Sequence, residues 1–163
     1  MTTQNHADKI VIIQGELTNF DHINAIIALV NEYRTDQMGG NLDKLSVNNE
    51  NNLIEGLKNH PSSLILFAVL NETIIGMAIC FWGFSTFETK WLLNIHDLIV
   101  YKKNRRRGIG KALLKGAMDI AQKNDCCRLT LEVRNDNNVA KRLYNSVGFT
   151  SCDFPMEFWI RKI

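Results

Sequence analysis

No apolar run in this sequence reaches the length needed to cross a bilayer. The start, Met1-Thr2-Thr3-Gln4-Asn5-His6, has neither the basic segment nor the apolar core of a secretory signal. Both absences lead us to expect a cytoplasmic protein with no membrane partner. Cysteine is sparse, with Cys80, Cys126, Cys127 and Cys152 the four present. None stands in a Cys-x-x-Cys pair or near histidine at zinc spacing, and a bridge between the adjacent Cys126 and Cys127 would be strained. Free thiols are therefore expected and no metal, with a cysteine nucleophile as the minor alternative. Net charge is only +2, which gives no bulk attraction to nucleic acid. A Walker loop is missing, as are internal repeats, low-complexity tracts and linkers.

What is present is globular: 45% of the 163 residues are hydrophobic, enough for one domain with a core. Residues 9–13 read as a strand rich in β-branched side chains. Asp21 is expected to cap a helix with Ile23, Ile26, Ile27 and Val30 on one face, stopped by Gly39-Gly40. Leu53, Ile54 and Leu57 suggest a short helix before Pro61. Residues 64–70 and 74–84 flank Asn71-Glu72 as a hairpin, and 91–100 form the next strand. A glycine loop follows, then a helix to about 124, a strand over 128–133 and a helix over 137–146. One or two closing strands are expected from Phe149 onward, ending with Glu157-Phe158-Trp159-Ile160. The strand–helix–strand unit over 91–133 implies a parallel pair. The expected architecture is α/β, one domain over 1–163 with a mixed sheet flanked by helices.

The most informative stretch is Arg105-Arg106-Arg107-Gly108-Ile109-Gly110, between an apolar strand and a helix that begins near Lys111. The first N–H groups of a helix lack intrahelical partners and the dipole is positive there, so such a place binds phosphate. Arginines beside it add matching charge. The spacing is not a Rossmann fingerprint, because Leu113 stands where a third glycine belongs. The plain alternative is a capped helix after a basic turn. The run from Lys102 to Arg107 could also touch nucleic acid or act as a nuclear address. It is isolated in a nearly balanced chain, so lysines flanking a phosphate site are the preferred reading.

Arg105-x-x-Gly108-x-Gly110 resembles the pyrophosphate-binding pattern of the GNAT superfamily of N-acyltransferases. Downstream, a strand is followed by Asn137-x-x-Ala140, then Tyr144, then Gly148-Phe149, which resembles the second signature of that superfamily in order and spacing. Within it, Phe84-Ser85-Thr86-Phe87 and the run Leu93-x-x-His96-Asp97-Leu98-x-Val100 are similar to the diamine acetyltransferase branch. The resemblance implies the GNAT fold, in which two central parallel strands splay apart. It implies acetyl-CoA as cosubstrate, with no metal.

The same resemblance assigns roles. Main-chain groups of Leu98, Ile99 and Val100 would bind the pantetheine arm and polarise the acetyl carbonyl. Their plain reading is core, and both can hold at once. Arg105, Arg106, Arg107, Gly108, Ile109, Gly110 and Lys111 would hold the pyrophosphate, with Arg106 in place of a frequent glycine. Asn137 would bond the pantetheine amides, or cap a helix. Tyr144 would give a proton to the departing thiolate, or pack as a core tyrosine.

The general base is open. His96 is the first choice, since imidazole suits general-base work near neutral pH. Asp97 could bind the substrate ammonium or contact the loop, and Glu132 is a further candidate. Adjacent strand residues point to opposite faces, so His96 and Asp97 share a site only across a bulge. The acceptor side should come from Tyr33, Arg34, Asp36 and residues 85–90, where Asp36 and Glu88 would suit a cation, and Arg34 and Lys90 a carboxylate. These expectations describe an N-acetyltransferase whose partner is a small-molecule amine. A protein amine, a CoA-sensing domain without turnover, and a homodimer through the closing strands with Trp159 between the copies are the alternatives carried with it.

Overall fold

In the computed structural model the structure describes residues 9–152, 154 and 156–163. Five strands form one sheet in the order β1-β2-β3-β4-β5. They are β1 (Val11–Gln14), β2 (Ser63–Leu70), β3 (Thr73–Ser85), β4 (Lys90–Val100) and β5 (Arg128–Leu131). The first four pair antiparallel, and β4 pairs β5 in parallel. The mixed sheet is the one expected from the strand–helix–strand unit. Asn71 and Glu72 both take positive φ, 47° and 62°, which matches the strand twist in a two-residue hairpin turn.

Helices cover both faces. On one, α1 (Phe20–Arg34) and α2 (Val47–Asn59) bury Ile26, Leu29, Ile54 and Leu57 against Ile65, Phe67, Met77, Ile79 and Ile99. Period-two alternation sends the intervening strand residues to the other face. There α3 (Ile109–Lys123) lies, burying Ile109, Leu113, Leu114, Ala117 and Ala121. The approach is close: a Cβ on Gly116 would lie 2.8 Å from Ile12 Cγ2. No described helix is long and apolar enough to cross a membrane.

Helix α1 differs from expectation at both ends. The cap of α1 is Asn19, whose side chain accepts the N–H groups of Asp21 and His22 at 2.9 and 3.3 Å. Asp21 instead sits in the first turn, where its charge complements the dipole. The helix stops at Arg34, and Gly39-Gly40 closes a separate 3-10 turn, with Gly40 at φ 103°.

The chain forms two compact units, residues 1–132 and 133–163. The second holds α4 (Asn138–Asn145), capped by Asn137, and Gly148 at φ 94° follows it. The closing strands expected after Phe149 are absent among the described residues. Phe158, Trp159 and Ile160 are exposed, and the Trp159 indole N–H donates to Glu157 of its own segment at 2.9 Å. Their β-favouring composition describes a fit to a pleated surface, and no strand among the described residues pairs with them to supply one. All four cysteines are free thiols.

Candidate active site

The site begins where β4 loses its parallel neighbour. The β4–β5 ladder pairs Leu92 to Ile95 with Arg128 to Leu131 and stops there. From His96 to Val100, β4 has β3 on one side and no described strand on the other. The Tyr101 N–H donates to Ile75 O of β3 at 3.1 Å. Peptide groups along a strand alternate in direction, so Ile99 also faces β3, while Leu98 and Val100 turn theirs to the open side. That edge offers main-chain donors and acceptors to an extended amide-bearing chain.

At the top of the open stretch the strand bulges. Ile79 pairs with Asp97 and Cys80 with Ile95, which leaves His96 as the extra residue. A bulge suspends alternation, so both side chains lie on the α1/α2 face. The exposed His96 ring meets Phe81 edge-on at 5.4 Å, and Asp97 stands beside Ile79. His60, at the end of α2, covers Phe81 at 4.7 Å. Burial pushes the Asp97 carboxyl above its usual range, while the charge of His96 pulls it back. The Cys80 thiol is pushed up to about 12, first by burial and then by Asp97, so Cys80 is no nucleophile at neutral pH.

At its lower end β4 runs through a short 3-10 turn, Lys102–Asn104, into the arginine–glycine loop. Arg106 takes φ 65° and Gly108 φ 78°. The first is a left-handed conformation that costs a non-glycine residue about 1–2 kcal/mol. It explains why glycine suits that place. Gly108 is the cap of α3 and offers no side-chain oxygen, so the helix ladder begins only with Ala112 N–H to Gly108 O at 3.0 Å. The N–H groups of Ile109, Gly110 and Lys111 have no intrahelical acceptor. Arg106, Arg107 and Lys111 are exposed around them. The arrangement fits a pyrophosphate bound by main-chain donors and flanking cations.

Arg105 is placed otherwise. Its Nε donates to Val100 O at 3.1 Å, and another guanidinium nitrogen pairs with Asp36 at 2.9 Å. Asp36 also accepts the Met38 N–H, and that bond first, then Arg105, holds its carboxyl below the usual range. Asp36 is thus committed inside the protein and is not a ready ligand for a substrate cation. Arg34 bonds Asp43 O at 3.0 Å, and Lys90 pairs with Asp125 at 2.9 Å. Of the four charged residues expected on the acceptor side, only Glu88 keeps an exposed side chain without such a pairing. Glu132 is exposed just past the end of β5.

Glu32 and Asn104 went unremarked in the sequence. Glu32 accepts the Lys102 N–H at 2.8 Å and, with Tyr101, Lys102 and Lys103, lines a groove of about 500 Å³. Burial and then Glu32 raise the Tyr101 phenol. Asn104 is 8% exposed, and its Oδ1 has no partner. No local pattern announces either residue, since Glu32 meets its loop partner 70 positions away.

The other two expected residues lie in the C-terminal unit. Asn137 Oδ1 accepts the Ala140 N–H at 3.1 Å, so the residue does cap α4. Tyr144 stands on α4 with its ring 6.1 Å from Phe149. A five-residue spacing from Tyr144 to Phe149 folds this ring pair together, as the Phe149 N–H returns to Tyr144 O at 3.1 Å.

A family model described as Acetyltransferase (GNAT) family matches residues 26–149. An uncharacterized N-acetyltransferase, YhfO, of Bacillus subtilis (strain 168) is 36% identical over 93 residues, 57% of this chain and 62% of that protein. The chain therefore spans under two thirds of that relative. Thialysine N-epsilon-acetyltransferase of Caenorhabditis elegans is 24% identical over 149 residues, 91% of this chain and 80% of that one. The solved structure of aminoglycoside N-acetyltransferase AAC(6')-Iy in complex with CoA aligns with a TM-score of 0.73 at 15% identity, covering 98% of this chain and all of that one. The match across most of the chain, with the splayed sheet and the glycine loop inside it, establishes that this protein belongs to the acetyltransferase (GNAT) family.

Proposed function

We propose that the protein moves the acetyl group of acetyl-CoA to a primary amine of a small molecule, as a single domain over 1–163. The observation that carries this is the open edge of β4 leading straight into the uncapped N-terminus of α3. The edge and the loop are complementary to the two unlike parts of one ligand, an amide-bearing arm and a pyrophosphate.

In this reading Leu98 and Val100 hold the arm through main-chain groups, and an N–H of that stretch faces the carbonyl oxygen where negative charge develops. The loop from Arg105 to Lys111 takes the pyrophosphate. The Asn137 side-chain amide donates to the arm while its oxygen continues to cap α4. His96 accepts the proton that an ammonium must lose before its nitrogen can attack. The new carbon–nitrogen bond forms as the carbon–sulfur bond breaks, and Tyr144 supplies the proton that leaves with the thiolate as a thiol. Asp97, on the same face as His96, favours a cationic acceptor. The name of the thialysine N-epsilon-acetyltransferase relative supports a small amine as acceptor.

The test is a pool of primary amines, holding a polyamine, a lysine analogue and an aminoglycoside, incubated with acetyl-CoA and read by mass spectrometry. An N-acetylated member is expected. Acetyl-CoA bound but never consumed would replace this reading with a regulatory binding domain.

A further inference from the structure

The arginine–glycine loop is gripped from a distant part of the chain. Glu32, in the last turn of α1, accepts the Lys102 N–H at 2.8 Å from a position 70 residues earlier. Asp36, in the turn after α1, takes a guanidinium N–H of Arg105 at 2.9 Å, and Arg105 Nε spans back to Val100 O at 3.1 Å. The pair is partly shielded, with side-chain exposures of 38% for Arg105 and 16% for Asp36. One guanidinium thus joins the open end of β4 to the turn after α1. The next residue, Arg106, sits at φ 65°, a conformation that persists only when its surroundings over-determine it.

We propose that Arg105 and Asp36 are positioning residues for acetyl-CoA: their ion pair fixes the loop so that its main-chain N–H groups face the pyrophosphate, and Arg105 is not itself a phosphate ligand. This rests on the reading of the loop as the pyrophosphate site. Charge for the phosphates then comes from residues such as Arg106 and Lys111, whose side chains point to solvent. The two roles open to Arg105 predict opposite signs at Asp36. A carboxylate near a bound anion repels it, so removing Asp36 helps binding if charge alone matters. If the carboxylate holds the loop in shape, removing it hurts.

The experiment measures acetyl-CoA affinity by calorimetry for wild type, Asp36→Asn, Arg105→Gln, Arg105→Lys and the Asp36→Asn/Arg105→Gln double variant. Hydrogen exchange over residues 101–110 is followed without ligand, and a thermal melt confirms that each variant is folded. Each single variant is expected to bind about tenfold more weakly and to exchange faster across the loop. Arg105→Lys should resemble Arg105→Gln, because lysine keeps the charge and loses the fork. The double variant should be no weaker than the worse single one, since both act through one bond. Wild-type or tighter binding by Asp36→Asn overturns the proposal, as does Arg105→Lys at wild-type affinity. Lower melting temperatures with unchanged affinity would make the pair a fold contact only. A wild type that does not bind acetyl-CoA brings down the functional reading, and the positioning role with it, even where Asp36→Asn still loosens the loop.

Discussion

His96 and Asp97 are neighbours in a strand, where alternation alone would send them to opposite faces. The extra residue in β4 relative to β3 puts both on the α1/α2 face. The sequence named the pair and the need for a bulge, yet nothing in it marks where a ladder slips. Asp97 has a measurable cost. Burial raises its folded-state pKa above the ordinary aspartate value of 3.8. A raised acid favours the fold fully only below the unfolded value, and that advantage is lost as pH rises through the folded one. At neutral pH the ionised Asp97 therefore weakens the fold. Asp97→Asn is expected to melt higher than wild type at pH 7, with the gap closing as the pH falls towards 3.8. Thermal melts across that range check the sign. In the proposed mechanism the same variant raises KM for the amine and leaves the affinity for acetyl-CoA in place.

At the scale of elements, the helices and paired strands were legible because their signals are local. Continuous apolar runs on either side of Asn71-Glu72 gave the β2–β3 hairpin, and the glycine loop gave the start of α3. Errors fell where two local candidates competed or where pairing decides. Asn19 and Asp21 are both good caps, and the chain uses Asn19. Residues 157–160 have strand composition, but a strand exists only with a partner. The contacts of Glu32 and Asp36 with the loop join separate elements and leave no trace in the sequence. Asn137 shows how one residue can satisfy two readings. Its oxygen caps α4, and its Nδ2 has no partner among the described residues. Asn137→Asp keeps the cap and loses the donor, whereas Asn137→Ala loses both. We expect Asn137→Asp to melt like wild type but bind acetyl-CoA about tenfold more weakly. Asn137→Ala should also lose about 1 kcal/mol of stability. Equal affinities for wild type and the Asp variant would reduce Asn137 to a cap.

For the whole molecule, the family follows from a match over residues 26–149, and the fold brings the functional stretches of the first unit into line. Bulge, open edge and loop follow one another along the chain from His96 to Gly110, and in the proposed mechanism they serve as base, arm site and phosphate site. This depends on a long β4 beside a short β5, whose four pairs stop at Ile95 and leave His96 to Val100 with no described strand on that side. In the proposed mechanism Tyr144 is the residue on which catalysis and mere binding part company. The most direct test is acetyl-CoA-dependent thiol release with an accepted amine, measured for wild type beside Tyr144→Phe, with acetyl-CoA affinity measured in parallel. We expect kcat to fall by about 10²–10⁴-fold in the variant, with affinity unchanged, as for loss of a general acid. Equal kcat in the two proteins would contradict the role of Tyr144, and no thiol release from wild type on any amine would contradict the enzyme itself.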